Sequence, residues 1–449
     1  MLWSVLMTGC SLNIPPPDQY SDPDAINNVS SARALLASCY SSFPHYEYDL
    51  SVMGNDFCPT SLAGKNADEL NLYNWQNKNV STTSTNIWQD YYTCIANCDV
   101  LLDRADNIAA STTDEQQRKA AILAECKTLK ALCYFDLLRL FATRFADSPD
   151  ADGVVIKQEF GFEVNARSSK RQCASYIESL LTDAATVDNH PSTNGWLSSE
   201  AVTYLLAELY LYTERYPEAA TLADQLISQA DDALLSGTNW QRLWQNESFG
   251  ARIFAFSTST SFYTDLQYDE QEGDYYAINP SLVPAPTDAR YASAVFTKEM
   301  KGAERLLLGK YNRQNKLGTQ PTYINRMRYA GAYFIAAEAY VRSGEPAKAL
   351  ERIDHYLGLV GATPLSPTLN DSQLVSAILS EKYKEFAGEG TNWFDLKRAG
   401  ASLPRLNTWG QATTTLIQPT DYRWTLPIPA SEYKYNERIT QNEGWPINR

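Results

Sequence analysis

Apolar residues recur at helical spacing along most of the chain. Over residues 87–105, apolar and aromatic side chains return every three or four positions, which is typical of one face of an α-helix. The same period runs through residues 114–142, a length of about eight helical turns, and Thr112 precedes it as a suitable N-cap. A shorter helix is predicted over residues 30–43. The pattern therefore predicts a mostly α-helical protein.

Two later stretches, residues 201–227 and 329–357, resemble each other. Each contains an Ala-Glu pair, an aromatic residue, a short break at a proline and a second alanine-rich amphipathic helix. The shared positions are Ala207, Glu208 and Pro217 in the first stretch and Ala337, Glu338 and Pro346 in the second. This order is typical of a tetratricopeptide-like helix-turn-helix. Because the copies are about 130 residues apart rather than ~34, we expect helical pairs interrupted by an insertion, not a continuous solenoid.

Two segments lack the helical period. Residues 236–328 are rich in Tyr, Gly, Pro and Asp and contain one short predicted strand, RIFAFSTS. Residues 43–79 are similarly irregular. Loops carried on a rigid scaffold are a common place for ligand contacts, so we place the candidate ligand-binding residues in these two segments. The candidates are Asp56, Tyr73, Trp75, Asn77, Tyr263, Tyr268, Tyr275 and Tyr276.

The aromatic content supports this choice without deciding it. The chain has 28 Tyr and 10 Trp, and these side chains combine an apolar face with a polar tip, which suits sugar or peptide ligands. An aromatic-rich core is an equally good interpretation, and each tyrosine taken alone fits loop packing. Trp75 is the single favoured candidate, because it stands in a polar context rather than on an apolar stripe.

Charge and missing motifs exclude several function classes. A net charge of −15 disfavours nucleic-acid binding, which needs a basic surface. The three histidines form no metal-spaced pair, and the acidic stretch at residues 268–274 lacks the spacing of a calcium loop. Neither Gly-x-Ser-x-Gly nor His-Glu-x-x-His occurs. We therefore predict no enzymatic activity, no catalytic residues, no metal and no cofactor.

The eight cysteines do not form a recognisable redox or zinc motif. No Cys-x-x-Cys pair occurs, and Cys94 with Cys98, like Cys126 with Cys133, is spaced to share one helix face, where a disulfide is awkward. Buried free thiols are expected. Cys10 is different, because it follows a short apolar run and Thr8-Gly9 and precedes a proline-rich tether, as in the lipobox of bacterial lipoproteins. We expect lipidation at Cys10 and two acyl chains in the membrane.

The segment AGEGTNWFDLKRAG, residues 387–400, could be a phosphate-binding loop, a catalytic loop or part of the scaffold. Its spacing does not match a P-loop. Glu385 and Glu389 stand four residues apart in a predicted helix, where carboxylates usually form a solvated or ion-paired face. We therefore favour the scaffold: a turn at Gly390, aromatic anchors next to it, and Asp395 paired with Lys397 or Arg398.

Several motifs, in order, resemble the SusD/RagB family of lipid-anchored nutrient-binding proteins of Bacteroidetes. The likeness covers nearly the whole chain. It includes Trp88, Tyr91, Ile95 and Asn97 in a helix, then Glu389, Gly390, Trp393, Asp395, Leu396 and Arg398, and finally Leu426, Pro427, Ile428, Pro429, Gln441, Asn442 and Gly444. Asn392 and Lys382 depart from it, because arginine is usual at both positions.

The resemblance implies a tetratricopeptide-like helical scaffold with a loop-rich, irregular ligand-binding half. It also implies a surface-exposed lipoprotein of the outer membrane that captures glycans for a partner TonB-dependent, SusC-like barrel. The expected divisions are a partial signal peptide (1–9), a lipid-anchored tether (10–29), an N-terminal helical region (30–235), a loop-rich insertion (236–328) and a C-terminal region (329–449). The alternatives are the same scaffold binding oligopeptides as in the RagB branch, a carbohydrate-active enzyme, and a cytosolic helical adaptor.

Overall fold

The helices dominate the structure, as the sequence pattern predicts. The computed structural model describes residues 26–60, 63, 67–157, 163–244, 248–258, 276–300, 303–311, 322–407 and 412–447. The α-helices of this part are α1 (Val29–Ser41), α2 (Glu47–Met53), α3 (Ala67–Tyr73), α4 (Asn77–Asp103), α5 (Thr113–Phe141), α6 (Lys170–Ala184), α7 (Ser199–Tyr212), α8 (Tyr216–Ile227), α9 (Asp232–Leu235), α10 (Tyr291–Ala294), α11 (Tyr329–Arg342), α12 (Pro346–Leu359), α13 (Asp371–Phe386), α14 (Asn392–Arg398) and α15 (Ala430–Tyr435).

The strands form small two-stranded antiparallel ribbons. They are β1 (Phe57–Pro59), β2 (Arg252–Thr258), β3 (Tyr276–Ile278), β4 (Val295–Met300), β5 (Ala303–Leu308), β6 (Thr322–Arg328), β7 (Leu403–Leu406) and β8 (Thr413–Ile417). Within the described ranges the pairs are β1–β3, β2–β6, β4–β5 and β7–β8. Strand β2 confirms the strand predicted from RIFAFSTS. Ribbons this short have little stability alone, so they depend on the helices they pack against.

The predicted helix boundaries hold where a capping residue marks them. Thr112 caps α5: its side chain accepts from the backbone N–H of Glu115, while the Glu115 carboxylate accepts from the backbone N–H of Thr112. This reciprocal arrangement satisfies donors that a helix start leaves unpaired. Helix α4 begins ten residues earlier than the periodic segment predicted, because the polar residues after Asn77 continue the helix with few apolar positions.

The two similar stretches are neighbouring helix pairs in space. Helices α7 and α8 form the first pair and α11 and α12 the second, and α8 packs against α11. Buried alanines let α8 approach closely, and Asp224 on α8 accepts hydrogen bonds from Tyr340 on α11 and Arg352 on α12. The interrupted helix-pair prediction is therefore confirmed: the insertion separates the pairs in sequence but not in the fold.

A buried cluster of charges joins the insertion to α13. Arg328 contacts Glu385 at 2.6 Å and Glu389 at 2.9 Å, Lys310 contacts Glu389 at 2.7 Å, and Arg290 contacts Glu385 at 3.0 Å. All five side chains are almost completely buried. The ion-paired interpretation of Glu385 and Glu389 is confirmed, but the pairs lie in the interior rather than on a solvated face.

Residues 387–400 belong to this frame. Gly390 has a φ of 73°, and a Cβ there would overlap the backbone of Glu47, so the turn requires glycine. Trp393 is fully buried. Asp395 pairs with Arg398 on its own helix and with Lys382 on α13. The scaffold interpretation is confirmed, with Arg398 as the partner of Asp395.

Lys397 has a different role from its neighbour. Its ammonium group donates to the backbone carbonyls of Arg139, Leu140 and Ala142 at the end of α5. Burial lowers the pKa of Lys397 well below its usual value. The side chain thus caps the carbonyls that a helix end leaves without partners.

We expect the Asp395→Asn variant to lose less unfolding free energy than the wild type when the pH is lowered. Burial alone would raise the pKa of Asp395, but the charges of Lys382 and Arg398 outweigh it and lower the pKa from 3.8 to about 2. The carboxylate therefore stabilises the fold above pH ~4, by about 2 kcal/mol, and this contribution disappears as the pH falls toward 2. Urea unfolding at pH 7 and pH 3 measures it. Parallel losses in wild type and variant would contradict the assignment.

The described cysteines are buried and reduced. Seven thiols are free, and Cys39, Cys94, Cys98, Cys126 and Cys133 are all fully buried on α1, α4 and α5. The expectation of buried free thiols is confirmed for these seven. Cys10 and the predicted signal peptide lie outside the described residues. Among the helices that are described, none is long and apolar enough to cross a bilayer.

Candidate functional site

The β1–β3 ribbon brings the two irregular segments to one place. Pro59 lies opposite Tyr276, and Phe57 lies opposite Ile278. Because the strands are antiparallel, the chain leaving β1 after Pro59 and the chain entering β3 at Tyr276 meet at the same end of the ribbon. The predicted residues Tyr263, Tyr268 and Tyr275 lie outside the described residues, and of Tyr276 only the backbone is described, so these candidates remain predictions.

Asp56 supports the base of this ribbon from inside. Its carboxylate accepts from the backbone N–H of Gly388 at 2.9 Å and from the Asn392 amide at 2.7 Å. Burial raises the pKa of Asp56 to about 6, and these hydrogen bonds oppose the rise only in part. The side chain is fully enclosed, so the expectation of a ligand contact at Asp56 is corrected to a structural role. Asn392, which departs from the resembled motif, supplies one of these two hydrogen bonds.

Tyr73 and Trp75 are also core residues. The Trp75 ring is 0% exposed and lies 5.2 Å from Trp393 and 4.9 Å from Trp424, centroid to centroid. Its indole N–H donates to the Met53 carbonyl at 2.8 Å. Tyr73 is buried too, and its hydroxyl accepts from the backbone N–H of Leu406. Neither ring has a face open to a ligand, which corrects both expectations.

The polar neighbours of Trp75 are misleading for a local reason. Trp75 has a φ of 54°, in the left-handed region, at the turn between α3 and α4. The turn exposes Asn74 and Gln76 while the indole points inward. A polar sequence context therefore reports the exposure of neighbours, not of the ring itself.

Asn77 is the described candidate that faces solvent. Its amide donates to the Tyr422 hydroxyl at 2.8 Å, and that hydroxyl donates back to the amide oxygen at 3.1 Å. Tyr422 lines a cleft of about 460 Å³ between the end of α5, the end of α14 and the C-terminal segment. Asn77 thus lies at the edge of a real concavity, although in a different place from the β1–β3 end.

The cleft beside Tyr422 is polar with an aromatic wall. Arg144 forms two hydrogen bonds to Asp147, at 2.9 and 2.6 Å, and Asp421, Asn442 and Glu443 add further polar groups. The Tyr422 ring packs edge-on against Trp445. Such a mixture can hydrogen-bond hydroxyl or amide groups of a ligand. Sequence reasoning missed this cleft, because its walls come from segments about 280 residues apart.

The described residues show no metal-binding arrangement. No group of three or more His, Cys, Asp or Glu side chains in this part of the chain is placed to hold an ion.

The carboxylates of Glu385 and Asp395 each form ion pairs with basic side chains. In both cases the shift keeps the pKa low, so these groups are poor proton donors near neutral pH.

Family comparison covers most of the sequence. Residues 18–211 match a family described as starch-binding and associating with the outer membrane, and residues 234–445 match the SusD family. SusD-like protein P38 of Formosa agariphila is 21% identical over 94% of both chains. SusD-like protein P25 of the same organism is 23% identical over 79% of this chain and 78% of its own. The chain belongs to the SusD/RagB family.

Solved structures share the fold. A SusD superfamily protein from Bacteroides vulgatus superposes with a TM-score of 0.77, at 20% identity, over 94% of this chain and all of the other. A SusD-like carbohydrate-binding protein from the same species gives 0.76 at 17% identity, over 92% and 98%. The mostly helical fold class predicted from the sequence is confirmed, and family membership supports a nutrient-binding role.

Proposed function

We propose that this protein captures glycans at the outer membrane and delivers them to a partner TonB-dependent, SusC-like barrel. The family supports a nutrient-binding role, and the lipobox-like sequence before Cys10 supports a lipid anchor. Neither the described carboxylates nor the sequence motifs favour catalysis. In this proposal the protein binds its ligand and does not catalyse a reaction.

The observation that carries the proposal is the pairing of β1 with β3. It joins the middle parts of the two irregular segments, next to a frame that contains a buried network of ion pairs. Tyr263, Tyr268 and Tyr275 belong to one of these segments. Tyrosine rings offer apolar faces for the C–H surfaces of sugars and hydroxyls for their polar groups.

Replacing Tyr263, Tyr268 and Tyr275 together with alanine is expected to weaken glycan binding at least about tenfold, since tenfold corresponds to only ~1.4 kcal/mol. A glycan and peptide array selects the ligand, and calorimetry measures its affinity. Tyr216→Ala is the control, because Tyr216 starts α8 and its hydroxyl contacts only exposed Glu214. Unchanged glycan affinity in the triple variant would contradict the proposal. If the array shows binding to peptides and not to glycans, the ligand class in the proposal changes from glycan to peptide.

A further inference from the structure

A second pocket lies between helices rather than at the irregular segments. It has a volume of about 450 Å³ and is formed by the first turns of α1, the first half of α5 and the loop before α7. Half-exposed Trp196 lies in its wall, with Arg33, Arg118 and Asn189 beside it. None of the residues predicted to bind ligand belongs to this pocket.

Trp196 is held in a fixed orientation. The Arg33 guanidinium carbon lies 3.7 Å from the centre of the indole, and Tyr40 packs edge-on at 5.0 Å. The Tyr40 hydroxyl also accepts from the backbone N–H of Leu197, which fixes the chain next to the ring. A preorganised ring and guanidinium lose little freedom when a ligand binds.

The single carboxylate of the pocket wall is already engaged. Glu125 is buried and accepts from Arg33 at 2.7 Å, from Tyr40 at 3.1 Å and from the Asn189 amide at 3.4 Å. The Glu125 carboxylate is therefore occupied by hydrogen bonds from the protein itself. Arg33 uses one of its nitrogens in this pair and is 35% exposed.

Two further side chains of the wall, Arg118 and Trp196, offer N–H donors. Arg118 is 60% exposed and pairs only with Asp114, one turn earlier on α5. In the described part of the chain the indole N–H of Trp196 has no acceptor. The first turn of α1, at Val29 and Ser30, adds the positive end of a helix dipole. The charges of Arg33 and Arg118 are balanced by Glu125 and Asp114, but in a chain of net charge −15 the wall still presents several N–H donors to the pocket.

We propose that this pocket binds an acidic sugar unit, with a carboxylate or sulfate ester held by Arg33 and Arg118 and the sugar ring against Trp196. Arginine binds such anions through paired hydrogen bonds, and an aromatic wall suits the apolar face of a pyranose. The proposal rests on glycan binding as the function and adds the charge class of the glycan.

The chain offers a closely matched control for Arg118. Arg171 on α6 is 59% exposed and pairs with exposed Asp150, as Arg118 pairs with exposed Asp114. Arg118→Gln and Arg171→Gln therefore remove the same charge and the same kind of surface ion pair. Only the first alters the pocket. Thermal unfolding of both variants checks that each is folded.

The test measures binding of the whole chain to three probes by calorimetry: tetragalacturonate, its full methyl ester, and a sulfated galactan tetrasaccharide. We expect a charged probe to bind at least tenfold more tightly than the ester. Arg118→Gln should lower that affinity about tenfold, in keeping with loss of a charge-assisted hydrogen bond, while Arg171→Gln stays within about twofold of wild type. The preferred charged probe tells whether the anion is a carboxylate or a sulfate ester.

Equal losses in the two arginine variants, or equal affinity for the acid and its ester, would overturn the pocket assignment. If an array still shows glycan binding that depends on the tyrosines of the insertion, the proposed function stands and the pocket proposal alone fails. If no glycan binds at all, both fail. Arg33→Lys keeps the charge beside Glu125 but loses the planar guanidinium, so it should also lower the affinity for the charged probe.

Discussion

Replacing Trp75 with alanine is expected to lower the free energy of unfolding by about 3–5 kcal/mol, the range for deleting a large buried aromatic side chain. The indole packs against two other tryptophans and its N–H is bonded to the Met53 carbonyl, so the variant leaves a cavity and loses this hydrogen bond, while Arg405 still donates to the carbonyl. Urea unfolding monitored by circular dichroism measures the loss.

Trp196→Ala is the control for that experiment. The same residue type is removed, but from a half-exposed position, so a clearly smaller loss of stability is expected. A stable Trp75→Ala protein that had lost only ligand affinity would contradict the core assignment and restore Trp75 as a ligand-stacking ring.

Replacing Glu385 with alanine is expected to cost about 3–5 kcal/mol of unfolding free energy, the usual cost of breaking a buried ion pair from one side. The change leaves Arg290 and Arg328 buried without their shared partner and removes the acceptor of the Trp240 indole N–H. The same change should loosen the insertion, because these contacts join it to α13. Urea unfolding gives the loss, and limited proteolysis between residues 236 and 328 reports the loosening.

Glu351→Ala provides the comparison. Glu351 pairs with Arg352 at 2.7 Å but is 67% exposed, and exposed pairs contribute only about 0–1 kcal/mol. Similar losses in the Glu385 and Glu351 variants would show that burial does not govern the strength of the central cluster.

The sequence predicted the frame better than the site because the two are encoded differently. Helix α5 has both its apolar period and its capping residue within one local stretch, and in the α11–α12 pair the apolar period is local too, with Pro346 beginning the second helix. The role of residues 387–400 was also predictable, since glycine, tryptophan and charged residues there lack the spacing of a catalytic or phosphate motif.

Exposure of single aromatic residues was not predictable in the same way. Trp75 and Trp196 both stand among polar and loop-forming residues, in YNWQN and TNGWL, yet one is in the core and the other lines a pocket. Nothing local separates them. Trp75 is covered by Trp393 and Trp424, which are more than 300 residues away in the chain.

By itself, the sequence determined the helical fold class, the interrupted helix pairs and the family, because periodicity and motif order are properties of the linear chain. The tertiary structure alone decided that Asp56, Tyr73 and Trp75 are structural, that Glu385 and Glu389 are buried, and that Arg33 and Arg118 share a pocket with Trp196. These are properties of contacts between distant segments, and burial and pocket formation depend on which segments the folded chain brings together.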